Sequence, residues 1–182
     1  GFGFSVAISG SRVVVGTPFD NTGAENAGSA YVYDLAISGS VPVTILNNPQ
    51  RLAGDSFGIS VAISGTYIVV GSYLNDTGAS NAGVVYVYNL AGGTPDVPVF
   101  TLNNPEPEAS DLFGISVAIS GKRVIVGASG DDTGADDAGS AYVYDLNGGA
   151  PAVPVTTMNN PNPAASDSFG YSVAISGKRV IV

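Results

Sequence analysis

The sequence contains no cysteine, no histidine and no tryptophan, and a single methionine. Without cysteine, neither a disulfide framework nor a thiolate metal site can form. Without histidine, the chain has no imidazole ligand and lacks the side chain most used as a general base near neutral pH. Cationic charge is scarce too: six Lys+Arg stand against fifteen Asp+Glu, for a net charge of −9. Such a surface repels phosphate backbones, and no basic stripe offsets it, which excludes nucleic acid as a partner. Apolar runs end after a handful of residues, so no segment has the length of a membrane-spanning helix. No secretory leader precedes the first motif, and the natural start is expected upstream of Gly1.

What the chain does contain is repetition. FGFSVAISG at 2–10 returns as FGISVAISG at 57–65 and 113–121, and as FGYSVAISG at 169–177. The spacings are 55, 56 and 56 residues, which divides the chain into repeats 2–56, 57–112 and 113–168 and a partial repeat 169–182. A period of this size marks one supersecondary unit that cannot bury its own faces and must stack on its neighbours. Twenty-five Gly and eleven Pro recur at fixed places in the repeat, as turn residues do.

The third repeat shows the pattern best. Phe113, Ile115, Val117 and Ile119 alternate with Gly114, Ser116, Ala118 and Ser120, which predicts a strand with a large and a small face. Ser120-Gly121-Lys122-Arg123 reads as a tight hairpin, and Val124–Gly127 as a second strand covered on both faces. After a long loop ending in Ala138-Gly139, Ser140–Leu146 is a third strand, with Tyr142 and Tyr144 on one side. Val153–Met158 is a fourth. It includes Pro154, matched by Pro42 and Pro98, and proline places this strand at a sheet edge. Four short antiparallel strands per unit, with no helical periodicity, predict an all-β fold of β-propeller blades: three full blades plus half of a fourth. A parallel β-helix has shorter coils without a hairpin in each, and a flat sandwich needs no such strict repetition. The half blade implies either a piece of a longer protein or a ring completed by another copy.

The Phe-Gly pairs at 2–3, 57–58, 113–114 and 169–170 carry a family resemblance. So do Gly16-Thr17-Pro18 with its counterparts at 71–73 and 127–129, and the YVY strands at 31–33, 86–88 and 142–144. Together they resemble the FG-GAP repeats of integrin α-chain propellers and their bacterial relatives. The resemblance implies a propeller and a non-catalytic, extracellular or cell-surface role. In that family calcium often sits in an Asp-rich loop between the first and second strands. Here SGSR at 9–12, SGTY at 64–67 and SGKR at 120–123 occupy that place and offer no ligands, so that site is not carried over.

In an up-and-down blade the 2–3 loops and the blade-to-blade connections share one end. Twelve of the fifteen acids fall there, opposed by Arg51 alone, while the hairpin end carries Arg12, Lys122, Arg123, Lys178 and Arg179. An axially polar molecule of this kind steers cationic ligands, or the basic end of another copy, to its acidic end. The 2–3 loops DNTGAENAG at 20–28, NDTGASNAG at 75–83 and DDTGADDAG at 131–139 are the candidate binding elements. Their clustered oxygens suit a hard cation such as Ca²⁺, with Asp131, Asp132, Asp136, Asp137, Asp20 and Asp76 as candidate ligands. The same loops supply the candidate partner contacts Asp20, Asn21, Glu25, Asn75, Asp76, Asp131, Asp132, Asp136 and Asp137. Their Asx-Thr-Gly start is also the signature of an Asx turn followed by a left-handed glycine. The Asn-Asn-Pro elements at 47–49, 103–105 and 159–161 are expected to satisfy backbone groups between blades, and the paired tyrosines to pack between them.

Catalysis finds no support. Both lysines lie in hairpins, acids repeated on equivalent loops do not form one unique pair, and no glycine-rich segment opens a helix. The expected function is a non-catalytic scaffold that presents an acidic loop face to a protein or glycan partner, or to another copy. A calcium-dependent adhesion or lectin-like module and a self-assembling subunit are the alternatives. Sparse lysine, absent cysteine and abundant Gly, Ser, Thr and Asn agree with an extracellular setting.

Overall fold

The computed structural model describes residues 1–37 and 39–182. Among them are fourteen strands and no helix. Blade 1 consists of β1 (Ser5–Ser9), β2 (Arg12–Thr17), β3 (Ser29–Asp34) and β4 (Thr44–Asn47). Blade 2 has β5 (Val61–Ser64), β6 (Tyr67–Ser72), β7 (Val84–Asn89) and β8 (Phe100–Asn103). In blade 3 the strands are β9 (Ser116–Ser120), β10 (Arg123–Ala128), β11 (Ser140–Asp145) and β12 (Thr156–Asn159). Strands β13 (Ala174–Ser176) and β14 (Arg179–Ile181) form a two-stranded sheet. Each four-stranded sheet is an antiparallel meander in chain order, so the predicted all-β blades are present, and the sheets do not close into a ring.

Local chemistry accounts for the turns. Ser120 pairs with Arg123 across a two-residue loop whose first residue, Gly121, has φ +62°. A left-handed first residue suits a type II′ hairpin, whose twist matches the strands it joins. The second strands of blades 2 and 3 are buried along nearly their whole length, as their continuous apolar character requires.

Two details differ from the sequence pattern. The alternation at 113–115 does not belong to β9, which begins at Ser116. Leu112 and Gly114 have φ of +59° and +90°, and Ile115 N–H bonds back to the Leu112 carbonyl, so Phe-Gly makes a turn. The turn aims the Phe113 ring between blades, where it stands 5.7 Å from Tyr142 and 6.4 Å from Tyr144. The prolines also precede the fourth strands instead of lying within them. Pairing starts only at the next residue, where Val155 N–H donates to the Val143 carbonyl at 2.7 Å, because proline has no N–H to give. The outermost place of these strands stands.

The core lies between sheets. Val14, Val32 and Leu46 of blade 1 pack with Phe57, Ile68, Val70, Tyr86 and Tyr88 of blade 2. Val69, Val87 and Leu102 of blade 2 pack in the same way with Phe113, Val124, Val126, Tyr142 and Tyr144 of blade 3. The paired tyrosines of blades 2 and 3 therefore serve blade-to-blade packing. The third seam joins Ile125, Ala141 and Val143 to the β13–β14 sheet. Among the described residues each buried cluster draws on two adjacent sheets, which is the physical reason the repeats stack.

Candidate functional site

Register places the 2–3 loops and the blade-to-blade connections at one end, since β4 ends at Asn47 opposite Ser29, the first residue of β3. There each connection is held between two successive loops. The second half of each loop serves the next connection through its backbone. Gly54, Ser56 and Phe57 N–H donate to the carbonyls of Glu25, Asn26 and Ala27 at 2.9, 3.1 and 3.0 Å. Ser166 and Ser168 do the same to Asp136 and Asp137 at 2.8 and 3.0 Å. The first half of each loop folds on itself. Asp20 and Asp131 accept from the N–H of Thr22 and Thr133, the Asx turns anticipated from sequence. Asn21, Asp76 and Asp132 accept from the N–H five residues on, at 2.8, 2.8 and 2.7 Å. The candidate loop residues are thus largely engaged in shaping the loop. Among the described residues, no three carboxylates converge as a metal ligand set.

What the loops do bring together lies at the seams. Between blades 1 and 2, Asp55 is buried, and its Oδ2 accepts from Asn48 Nδ2 at 2.7 Å and Asn75 Nδ2 at 2.9 Å. Asn75 also donates to Gln50 Oε1 at 3.1 Å, and Gln50 Nε2 donates to Thr77 Oγ1 at 3.2 Å. This seam is an amide network around one carboxylate. Burial pushes Asp55 above the usual carboxylate range, against those two amide bonds, and nearby Asp76 adds to the rise.

The equivalent seam between blades 2 and 3 has a different charge content. Asp111 is buried, with Oδ2 accepting from Asn104 Nδ2 and from Glu108 N–H at 2.7 Å. The loop residue there is Asp131, which cannot donate as Asn75 does. Asp131 accepts from Tyr142 OH at 2.6 Å. Glu106 and Glu108 stand where blade 1 ends in Gln50 and Leu52. With Asp132 and Thr133 they line a cavity of about 140 Å³, so five carboxylates border one hollow. Burial raises Asp111, and the charges of Asp131 and Glu108 raise it further against its hydrogen bonds. For Asp131 burial acts upward as well, but hydrogen bonds from Thr133, Tyr142 and Ser140 outweigh it and hold the carboxyl below the usual range.

The candidate list drawn from sequence contains Asp131 and Asp132 but not Glu106, Glu108 or Asp111. A signal for the last was present: Asn and Asp recur seven residues apart as Asn48–Asp55, Asn104–Asp111 and Asn160–Asp167. Each pair is hydrogen-bonded, and the Asn of each also caps the N–H two residues on. The backbone role expected of Asn-Asn-Pro is therefore real, with a carboxylate contact added.

This architecture is that of a propeller-like interaction module, and the chain belongs to the FG-GAP repeat family, whose model matches residues 1–33, 49–88 and 101–144. Such repeats are generally non-catalytic and typically occur in extracellular and cell-surface proteins. No helix among the described residues is long and apolar enough to cross a membrane. Comparison with curated proteins yields no match. Among solved structures the fold is similar to that of the computationally designed Ika8 protein (13% identity, TM-score 0.58), over 98% of this chain and 41% of that one. The designed Ika4 protein matches at 13% identity and TM-score 0.58, over 99% of this chain and 82% of its own. A chain of the Mitotic Checkpoint Complex matches at 16% identity and TM-score 0.50, over 87% of this chain and 38% of its own. At these identities the likeness is one of fold alone.

Proposed function

We propose that this array is a non-catalytic docking module whose acidic loop end receives a cationic segment of a protein partner. The observation that carries the reading is the contrast between equivalent seams. Where blades 1 and 2 neutralise their junction with Gln50 and Asn75, blades 2 and 3 place Glu106, Glu108, Asp111, Asp131 and Asp132 around one cavity. Carboxylates gathered at the mouth of a cleft focus the field of a chain already at −9 and favour a lysine or arginine side chain. A protein segment fits better than a glycan because neutral sugars gain little from concentrated charge.

Lysine- and arginine-bearing peptides, with neutral oligosaccharides as controls, test this on immobilised chain. Cationic peptides should be retained in a salt-dependent manner, unchanged by added Ca²⁺ or by chelator. The triple substitution Glu106→Gln, Glu108→Gln, Asp132→Asn should weaken retention about tenfold or more, since three exposed charges leave the rim. Equal retention by the triple variant, or preference for the oligosaccharides, would remove the reading.

A further inference from the structure

The first two seams differ in how the connection is tied to the loop beside it. Gln50 lies in the connection from blade 1, and Glu106 holds the same place in the connection from blade 2. Gln50 crosses its seam. Its Oε1 accepts from Asn75 Nδ2 at 3.1 Å and its Nε2 donates to Thr77 Oγ1 at 3.2 Å, so one side chain holds two points of the loop. The asparagine that permits this gives up another contact. In blades 1 and 3 its place is taken by Asp20 and Asp131, which accept from Tyr31 OH and Tyr142 OH at 2.9 and 2.6 Å. In blade 2 Asn75 directs its Nδ2 to Gln50 and Asp55 instead, and the buried Tyr86 hydroxyl has no partner among the described residues.

At the second seam neither half of such a bridge is available. Ionised, Glu106 and Asp131 accept hydrogen bonds and donate none, and their like charges repel. Among the described residues no bond joins the Glu106 side chain to Asp131 or Thr133. Beside the acidic cavity lies a second hollow of about 240 Å³, lined by Pro105, Tyr142, Thr157 and Asn159, which shares Glu106 and Thr133 with the first. Thr157 and Asn159 belong to β12, opposite Tyr142 and Ser140, so the hollow reaches from the loop end to the outermost strand. Its lining offers hydroxyls and an amide, with Glu106 as the one charged side chain.

We propose that the residue pair at these two places selects the seam that receives a ligand. Gln50 and Asn75 latch the first seam shut, while Glu106 and Asp131 keep the second open to a lysine-bearing segment whose uncharged polar flank lies in the adjoining hollow. The inference rests on the docking function proposed for this end of the molecule and adds what chooses the seam. The occupant follows from the two linings. Carboxylates around the cavity draw an ammonium group. Hydroxyl and amide groups of Thr133, Thr157 and Asn159 suit the peptide groups and short polar side chains beside it. A second cation would gain little there, because the hollow's one carboxylate is shared with the cavity.

Glu106→Gln combined with Asp131→Asn copies the latch onto the second seam and tests the proposal on the full chain. The first readout needs no ligand. In wild type the Gln50 side-chain amide should show a nuclear Overhauser contact to Thr77, and in the exchanged variant the amide introduced at position 106 should show one to Thr133. Absence of either contact overturns the latch. The second readout is the affinity for a capped peptide with a single lysine between serines. Glu108→Gln combined with Asp132→Asn removes as many charges but leaves Glu106 and Asp131 in place, so the seam stays open. The exchanged variant should bind about tenfold or more weakly than this charge-matched variant, and equal affinities overturn the selection. Should the exchanged variant lose its fold, Glu106→Gln against Glu108→Gln makes the same two comparisons. A wild-type chain that shows the Gln50 contact but ignores the peptide overturns the docking function, and the selection with it, while the latch stands.

Discussion

At Gly71 the backbone of β6 passes against the Gly114 carbonyl of the next blade, and a Cβ would overlap that oxygen and crowd Ser60 Oγ. The neighbour on one side is main chain, which cannot rotate away. Gly16 and Gly127 meet Gly58 and Gly170 in the same manner, so the glycine is a condition of blade spacing. Gly71→Ala should therefore destabilise by about 1–3 kcal/mol, the usual cost of overpacking. Gly93→Ala, in a turn with open space around it, should change stability by less than about 0.5 kcal/mol. Thermal unfolding of the two variants checks the contrast, and equal midpoints would show that the seam adjusts freely.

Among the elements, the blade-to-blade connection carries the most unusual chemistry. Its buried aspartate meets two side-chain amides at the first seam, and at the second one such amide with the charges of Asp131 and Glu108 nearby. Asp111, raised by burial and by the charges of Asp131 and Glu108, holds a proton more tightly in the folded than in the unfolded chain. Its ionised form therefore opposes folding at neutral pH, and the opposition is relieved as pH falls through its raised value toward the ordinary 3.8. Asp111→Asn keeps an acceptor for Asn104 and Glu108 N–H while removing the charge. Melting at pH 7 should rise by about 2–4 °C, the shift that about 1 kcal/mol produces at this chain length. The gain should vanish in acid, where the native carboxyl is protonated as well. A gain that persists at low pH would assign the effect to packing.

For the molecule as a whole, stacking buries phenols between sheets. Burial first, then the charge of Asp55, pushes Tyr86 up to about 12. Burial drives Tyr88, Tyr142 and Tyr144 higher still, with Asp131 adding to the rise of Tyr142. Each folded value exceeds the ordinary 10.0, so the protonated phenols stabilise the fold fully below pH 10. That contribution is lost progressively as pH climbs above 10 toward the folded values. Tyrosinate absorbance from these four rings should appear together with the loss of β-sheet circular dichroism, in one cooperative step. Ionisation of the four with the sheets intact would mean that the seams open to solvent.

Strands, hairpins and the order of the blade were legible in the chain because their causes are local. Alternation with period two sets a strand's faces, Ser-Gly sets the hairpin, and a residue without an N–H can stand only beside an edge strand. Even the tyrosine packing followed, since a side chain repeated in each unit answers to a contact repeated in each unit. The Phe-Gly turn was not legible, because its alternation is indistinguishable from a strand until the neighbouring blade demands that the ring be turned inward. Nor was the acidic cavity: Asp111 and Asp131 are twenty residues apart and become neighbours only when one blade's connection is laid beside the next blade's loop. Whether a given aspartate shapes a turn, sits in an amide network or faces another charge depends on that stacking, which brings together residues that no local pattern links.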